Sequence, residues 1–346
     1  MAATRLQFLH LLLIAALCGL PLAAEDAPKS GFAEIEPRQD AAIEKGLAWL
    51  AKNQNRDGSW GSHGGGGSYT MAMTGLAGLA LLSGGHTPGI GKYGEHVARA
   101  VQYVLKNQNK DGVFSGGNDG RSMYGHGFAM TFLSEAYGME NNLERAEKIK
   151  DALERAVQLT SRAQSTNGGW YYSPNSGMDE GSVTITQVQA LRAARNAGID
   201  VPEKTLSRAI DYIKKSQNED GSIRYSIHRG QSGTVALSAA GAEVLLMAGQ
   251  YEAKETKLVC EYLKRNLDAN RTQGYHDFYT SFYGVQAMFH IGGDYWARYF
   301  SALRDRLVKS QAGDGSWTDP TGTTYATSIA IMALALPYRY LPIFQK

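Results

Sequence analysis

The sequence predicts an all-α chain of six outer and six inner helices closed into one ring, an (α/α)6 toroid. Three observations predict it. A short glutamine- and glycine-containing phrase returns about every fifty residues, the segment before each phrase is amphipathic at helical spacing, and the segment after it is apolar or small on nearly every side.

The phrase reads QNRDGSW at Gln54–Trp60, QNKDGVF at Gln108–Phe114, QSTNGGW at Gln164–Trp170, QNEDGSI at Gln217–Ile223 and QAGDGSW at Gln311–Trp317. Its glycines, Gly58, Gly112, Gly168, Gly221, Gly274 and Gly315, lie 54, 56, 53, 53 and 41 residues apart. The copy near Asn270–His276 keeps the glycine and has lost the glutamine and tryptophan. Each glycine marks a helix stop, because it takes the left-handed conformation that other residues resist.

Ahead of the first phrase, Ala41–Leu50 places Ile43, Leu47 and Leu50 at helical spacing with charges between them, as a one-sided outer helix requires. The segments behind the phrases, Thr70–Leu82, Tyr124–Tyr137, Ser182–Asn196, Thr234–Met247, Tyr279–His290 and Thr323–Leu336, read as helices buried all round. Helix pairs of this kind bury their apolar faces only by stacking. The inner segments are too apolar to line an open concave surface, so the array is expected to close.

The first residues read as a secretory signal, with Arg5, an apolar run from Leu9 to Leu20 and Pro21-Leu22-Ala23-Ala24 before Glu25. Cleavage is expected after Ala24, followed by a flexible segment 25–37 and one domain over 38–346, which makes the protein exported, periplasmic or extracellular. The alternative is an uncleaved anchor helix, the one route to membrane association; bulky Leu17 before Cys18 argues against a lipoprotein. Loss of the leader removes Arg5 and no acid, taking the formal charge from +2 to +1, so nothing electrostatic points to nucleic acid. Cys260 would then be the one remaining thiol, without a disulfide partner, at an apolar helix position suited to an inert core cysteine.

Gln-x-x-x-Gly-x-Trp is fully present at Gln54/Gly58/Trp60, Gln164/Gly168/Trp170 and Gln311/Gly315/Trp317. With these repeats the chain resembles the squalene cyclases and protein prenyltransferases, whose α/α toroids close with six helix pairs. The resemblance implies that the motif residues are structural staples. It also implies where chemistry would sit. Aligned through Ala190-Leu191, the Asp-x-Asp-Asp segment of the cyclases falls on Glu180-Gly181-Ser182-Val183, which puts Ser182 where the proton-donating aspartate belongs. The zinc-binding cysteine of the prenyltransferases has no counterpart in the inner helices, although Tyr275–Tyr283 is faintly similar to their Tyr- and His-rich segment. Neither a cofactor nor a metal set is expected. The Cys-Gly-Glu-Gln run of the thioester toroids is absent.

If all inner helices run the same way, their N-termini open on one face with unpaired N–H groups that favour acids, anions or hydroxyl-rich ligands. Candidate catalytic groups on this rim are Glu180, Asp179, His126 and Asp277; candidate ligand-binding groups are Tyr69, Tyr124, Tyr172, His228, Arg229, His276, Tyr279, Tyr283 and Tyr325, with His63 nearby. Each acid could equally be a helix cap, and His126, between Gly125 and Gly127, could equally be structural. Glu135, deep in an apolar inner helix, should be paired or ligand-facing. The expected function is binding of a lipid, isoprenoid or glycan fragment in the central cavity. The alternatives are an acid/base enzyme, cyclase-like or carbohydrate-active, and a protein-interaction scaffold.

Overall fold

The computed structural model describes residues 35–62, 69–116, 119, 121–228, 232–270 and 274–345, apart from the side chain of Tyr275. The expected leader, His63 and Arg229 lie outside the described residues, which belong to one compact unit, Gly31–Lys346. Among the described residues, twelve α-helices alternate between two roles. The outer ones are α1 (Pro37–Lys52), α3 (Gly94–Lys106), α5 (Leu143–Ala163), α7 (Glu203–Lys215), α9 (Lys254–Asn266) and α11 (Gly293–Ser310). The inner ones are α2 (Thr70–Ser83), α4 (Ser122–Tyr137), α6 (Gly181–Asn196), α8 (Val235–Met247), α10 (Asp277–Ile291) and α12 (Thr323–Ala335). Among the described residues there are isolated β-bridges but no strand.

The two roles follow from the side chains. In α3, Val97, Val101 and Val104 bury one face, whereas in α2 every residue from Met71 to Ser83 is buried. Each inner helix packs on the next, and α12 packs on α2, so the inner ring is closed.

The recurring phrase builds the ring. Trp60, Trp170 and Trp317 are enclosed, and their indole Nε1 groups donate to the carbonyls of Leu50, Thr160 and Leu307 near the end of their own outer helices, each at 2.8 Å. Their backbone amides donate to Thr74, Thr184 and Thr327 on the following inner helices. The glutamines reach the other way. Gln54, Gln108, Gln164 and Gln217 donate through Nε2 to the carbonyls of His96, Ala152, Thr205 and Glu255, each on the next outer helix. Gln311 donates to Ala42 O at 2.8 Å and so ties the last repeat to the first.

The turn glycines lie in the same seam. At Gly315, with φ +94°, an added Cβ would sit 2.5 Å from Lys45 O; at Gly58, with φ +92°, it would sit 2.3 Å from Arg99 O. Gly274 differs: it opens a short 3-10 turn and has nothing within 4 Å. In place of a glutamine staple there, Arg306 of α11 donates to Asp277 at 2.5 Å and to Ser281 at 2.8 Å on α10.

The opposite end of the ring is crossed by the chain after α12. Ile343 and Phe344 are buried, Phe344 packs edge-on against Phe282 of α10, and the backbone N–H of Ile343 meets Glu135 of α4.

Candidate functional site

The inner-helix N-termini surround a mouth. A cavity of about 220 Å³ opens there, lined by Ala72, Met73, Leu76 and Phe128 together with Tyr69, Tyr124, Tyr279 and Tyr325, and by the polar groups Arg121, His276 and Thr321. Five of the thirteen rim residues proposed from sequence therefore share one cavity: Tyr69, Tyr124, His276, Tyr279 and Tyr325. The Tyr279 hydroxyl, enclosed among these walls, has no hydrogen-bond partner.

Beside the cavity lies a connected polar network. Glu180 is the N-cap of α6 and is fully buried; its carboxylate accepts the amides of Ser182 at 2.8 Å and Val183 at 2.6 Å, and the Ser182 hydroxyl. Ser182 is hydrogen-bonded in turn to the Tyr124 hydroxyl, and Tyr172 to the Tyr225 hydroxyl. The Arg121 guanidinium stacks over the Tyr172 ring at 4.5 Å. Burial pushes the Glu180 carboxyl up from its ordinary range, opposed by its hydrogen bonds with Ser182, Val183 and Tyr225. It pushes the Tyr124 phenol up as well, helped by the nearby Glu180 charge. Glu180 thus caps a helix and at the same time sits one serine away from a cavity-facing phenol.

Asp179 and His228 lie in a separate rim pocket of about 190 Å³, with Asn167, Tyr171, Met178, Tyr225 and Ser226 among its walls.

Three of the rim candidates do not line this cavity. His126 does not reach the cavity: its Nδ1 accepts the Phe114 amide at 3.2 Å and its Nε2 meets Thr160 Oγ1 at 2.9 Å, with the ring fully enclosed. It occupies in repeat two the place that Thr74 and Thr184 occupy in repeats one and three. The flanking glycines make room for helix packing, not for a ligand, since a Cβ on Gly127 would sit 2.6 Å from Thr186 Cγ2. Burial lowers the His126 imidazole to about 4, which keeps it neutral. Asp277 is committed to Arg306 between α10 and α11, with both side chains largely buried. Tyr283 is enclosed one turn below the cavity wall and does not line it.

At the base, Glu243 of α8 is fully buried with neither oxygen hydrogen-bonded, 3.6 Å from His290 Nε2 of α10. Glu135 has one unpaired oxygen, and burial raises its carboxyl to about 8. Sequence reading singled out Glu135 and missed Glu243, although the signal was the same: one acid in an apolar helix. Cys260 is half-buried, and its thiol is pushed up to about 11 by burial, which suits packing rather than nucleophilic attack.

The sequence profile of the squalene-hopene cyclase C-terminal domain matches residues 30–143 and 81–234, and that of the prenyltransferase α/α toroid domain matches 187–334. The chain belongs to the squalene cyclase-like family of α/α toroids. Drimenyl diphosphate synthase of Streptomyces showdoensis is 29% identical over 190 residues, 54% of this chain and 33% of the synthase. Squalene–hopene cyclase of Zymomonas mobilis is 29% identical over 152 residues, 38% of this chain and 20% of the cyclase. This member of the family therefore spans a third or less of the length of those relatives. Among solved structures, the type II terpene cyclase MstE from Scytonema superposes with TM-score 0.60 at 15% identity, covering 88% of this chain and 99% of the cyclase. The GH76 α-mannanase of Bacteroides thetaiotaomicron reaches TM-score 0.61 at 12% identity, covering 87% and 96%. At such identities the likeness is one of fold, and the fold is shared by unlike chemistries.

Proposed function

We propose that this toroid receives the apolar part of a small ligand in its central cavity and pairs the ligand's polar end with Tyr279, in a protein exported through its N-terminal segment. The unpartnered Tyr279 hydroxyl in an aromatic and aliphatic wall carries this reading. A buried hydroxyl left unpaired costs about 1–3 kcal/mol, which a ligand oxygen would recover. The cavity is smaller than the roughly 300–1,000 Å³ of a drug-sized site, so it suits one end of a chain-like molecule, such as an isoprenoid or other lipid, better than a whole one.

Protonation of an isolated alkene is disfavoured. The position aligned with the cyclase acid is Ser182, and the acidic group that reaches the cavity through it is the Tyr124 phenol, which burial makes weaker than usual.

Titration calorimetry with farnesol as the probe tests the proposal. Saturable binding is expected, weakened about tenfold in Tyr279→Phe, a loss of roughly 1.4 kcal/mol, and abolished in Ala72→Phe, which fills the cavity. Absence of saturable binding, or binding indifferent to Ala72→Phe, would reject it.

A second reading rests on the chain Glu180, Ser182, Tyr124, along which a proton could pass to a bound substrate. Turnover lost in Glu180→Gln with farnesol binding intact would favour that enzyme over a binder.

A further inference from the structure

Three of the recurring turns are built alike. In repeats one, four and six the turn aspartate folds back on its own serine: Asp57 accepts the amide and hydroxyl of Ser59, Asp220 those of Ser222, and Asp314 those of Ser316. In repeat three Asn167 stands in the aspartate's place and Gly169 in the serine's. The carboxylate arrives instead from Asp179, two residues before α6. A Cβ on Gly169 would lie 2.8 Å from both Asp179 Cβ and Thr184 Oγ1, so a side chain at this position would collide with the stem of the incoming aspartate.

That carboxylate is only half used. Its Oδ2 accepts Ser165 Oγ at 2.8 Å and Asn167 Nδ2 at 2.9 Å. Its Oδ1 has no close hydrogen bond, although the side chain is 1% exposed and the Tyr212 phenol, likewise without a close partner, lies beside the carboxyl. The ring beside Oδ1 is that of His228, whose Nε2 lies 3.4 Å from it and 3.0 Å from Asn167 Nδ2 and whose side chain is 59% exposed. Tyr171, Tyr225 and Met178 wall the pocket, Glu180 adds a second carboxyl, and among the described residues no lysine or arginine lines it.

A buried carboxylate with one oxygen lacking a close hydrogen bond, flanked by tyrosine rings and with no ammonium or guanidinium among the described lining residues, is complementary to a small cation that can donate hydrogen bonds. We propose that this rim pocket is a second binding site, separate from the central cavity, for the primary alkylammonium group of a small molecule. Asp179 is its anionic anchor, Tyr171 and Tyr225 are its walls, and the exposed His228 ring is displaced from Asp179 when the amine enters.

The test is a titration of the full chain, methyl-labelled at methionine, with n-butylammonium followed by NMR. The Met178 methyl should shift saturably while that of Met73, in the central cavity, stays still. Asp179→Asn should weaken binding at least about tenfold, as expected for loss of a buried charge-assisted contact. Because Asp179 also holds Ser165 and Asn167, Tyr171→Leu provides a variant that leaves those bonds in place; it should weaken binding by about threefold to tenfold. Tetramethylammonium, which has no N–H to donate, should bind several-fold more weakly. A stationary Met178, a shift of Met73 instead, unchanged affinity in both variants, or equal binding of the quaternary cation would overturn the proposal. The farnesol titration reports on the other cavity, so failure of that reading and failure of this one are distinguishable.

Discussion

At the mouth of the ring, Glu180 is satisfied by two backbone amides and a serine hydroxyl, whereas at the base Glu243 has neither oxygen hydrogen-bonded and Glu135 leaves one unpaired. The difference follows from helix polarity. Inner-helix N-termini present free N–H groups and partial positive charge, and an acid placed there finds donors. Inner-helix C-termini present carbonyl oxygens, and an acid there finds none unless another segment brings one, as Ile343 does for Glu135. The two ends thus use buried titratable groups in opposite senses: His126 near the mouth is held neutral by losing its proton, and Glu135 at the base by keeping it.

The largest effect should come from the seam that runs through the mouth-side turns. Gly315→Val places a branched side chain at φ +94° against the Lys45 carbonyl and should cost more than about 4 kcal/mol in urea unfolding, or prevent closure of the ring. Gly274→Ala, at φ +58° in open space, should cost about 1 kcal/mol. Equal costs would mean that the turns do not close the ring as described.

His126→Ala should cost about 3 kcal/mol, from the cavity it leaves and the unpaired Phe114 amide. Its pH signature is distinct. The folded imidazole is lowered from 6.5 to about 4, so the unfolded chain binds the proton first, and stability falls as pH drops through that interval. Thermal unfolding at pH 4 to 7 should show this acid loss in the wild type and a flatter profile in the variant.

Glu135 should tilt the other way, and it is the steeper of the two near neutrality, because pH 7 lies inside its interval and above that of His126. Its folded carboxyl is raised from 4.5 to about 8, so the folded chain keeps a proton that the unfolded chain has released, and stability falls as pH rises between those values. Glu135→Gln should remove that alkaline decline, with the gain over wild type growing from pH 5 to pH 8 and amounting to on the order of a few kcal/mol at most. A gain independent of pH would break the comparison between the two ends.

The cavity wall was legible where residues lie in the connections. Tyr69, Tyr124, His276, Tyr279 and Tyr325 were found because inner-helix starts on one face must converge. Arg121 and Phe128 share the same wall but carry no signal of their own, since arginine and phenylalanine are ordinary at a helix start and on a buried face. His126 was misplaced because flanking glycines look alike whether they admit a ligand or a neighbouring helix. Its equivalence to Thr74 and Thr184 lies in the shared acceptance of a turn amide, from Phe114 as from Trp60 and Trp170.

What the sequence determined by itself was the alternation of one-sided and fully buried helices, their bounds within a few residues, and the stops between them, because helical periodicity and glycine's left-handed conformation are local properties. What tertiary structure alone decided was which polar groups meet: Gln311 with Ala42, Asp277 with Arg306, Asp179 with His228, Glu243 with His290. Those pairs join different helices and turns, one of them across the whole length of the chain, and their partners are set by how neighbouring helices rotate and stack rather than by any spacing along the backbone.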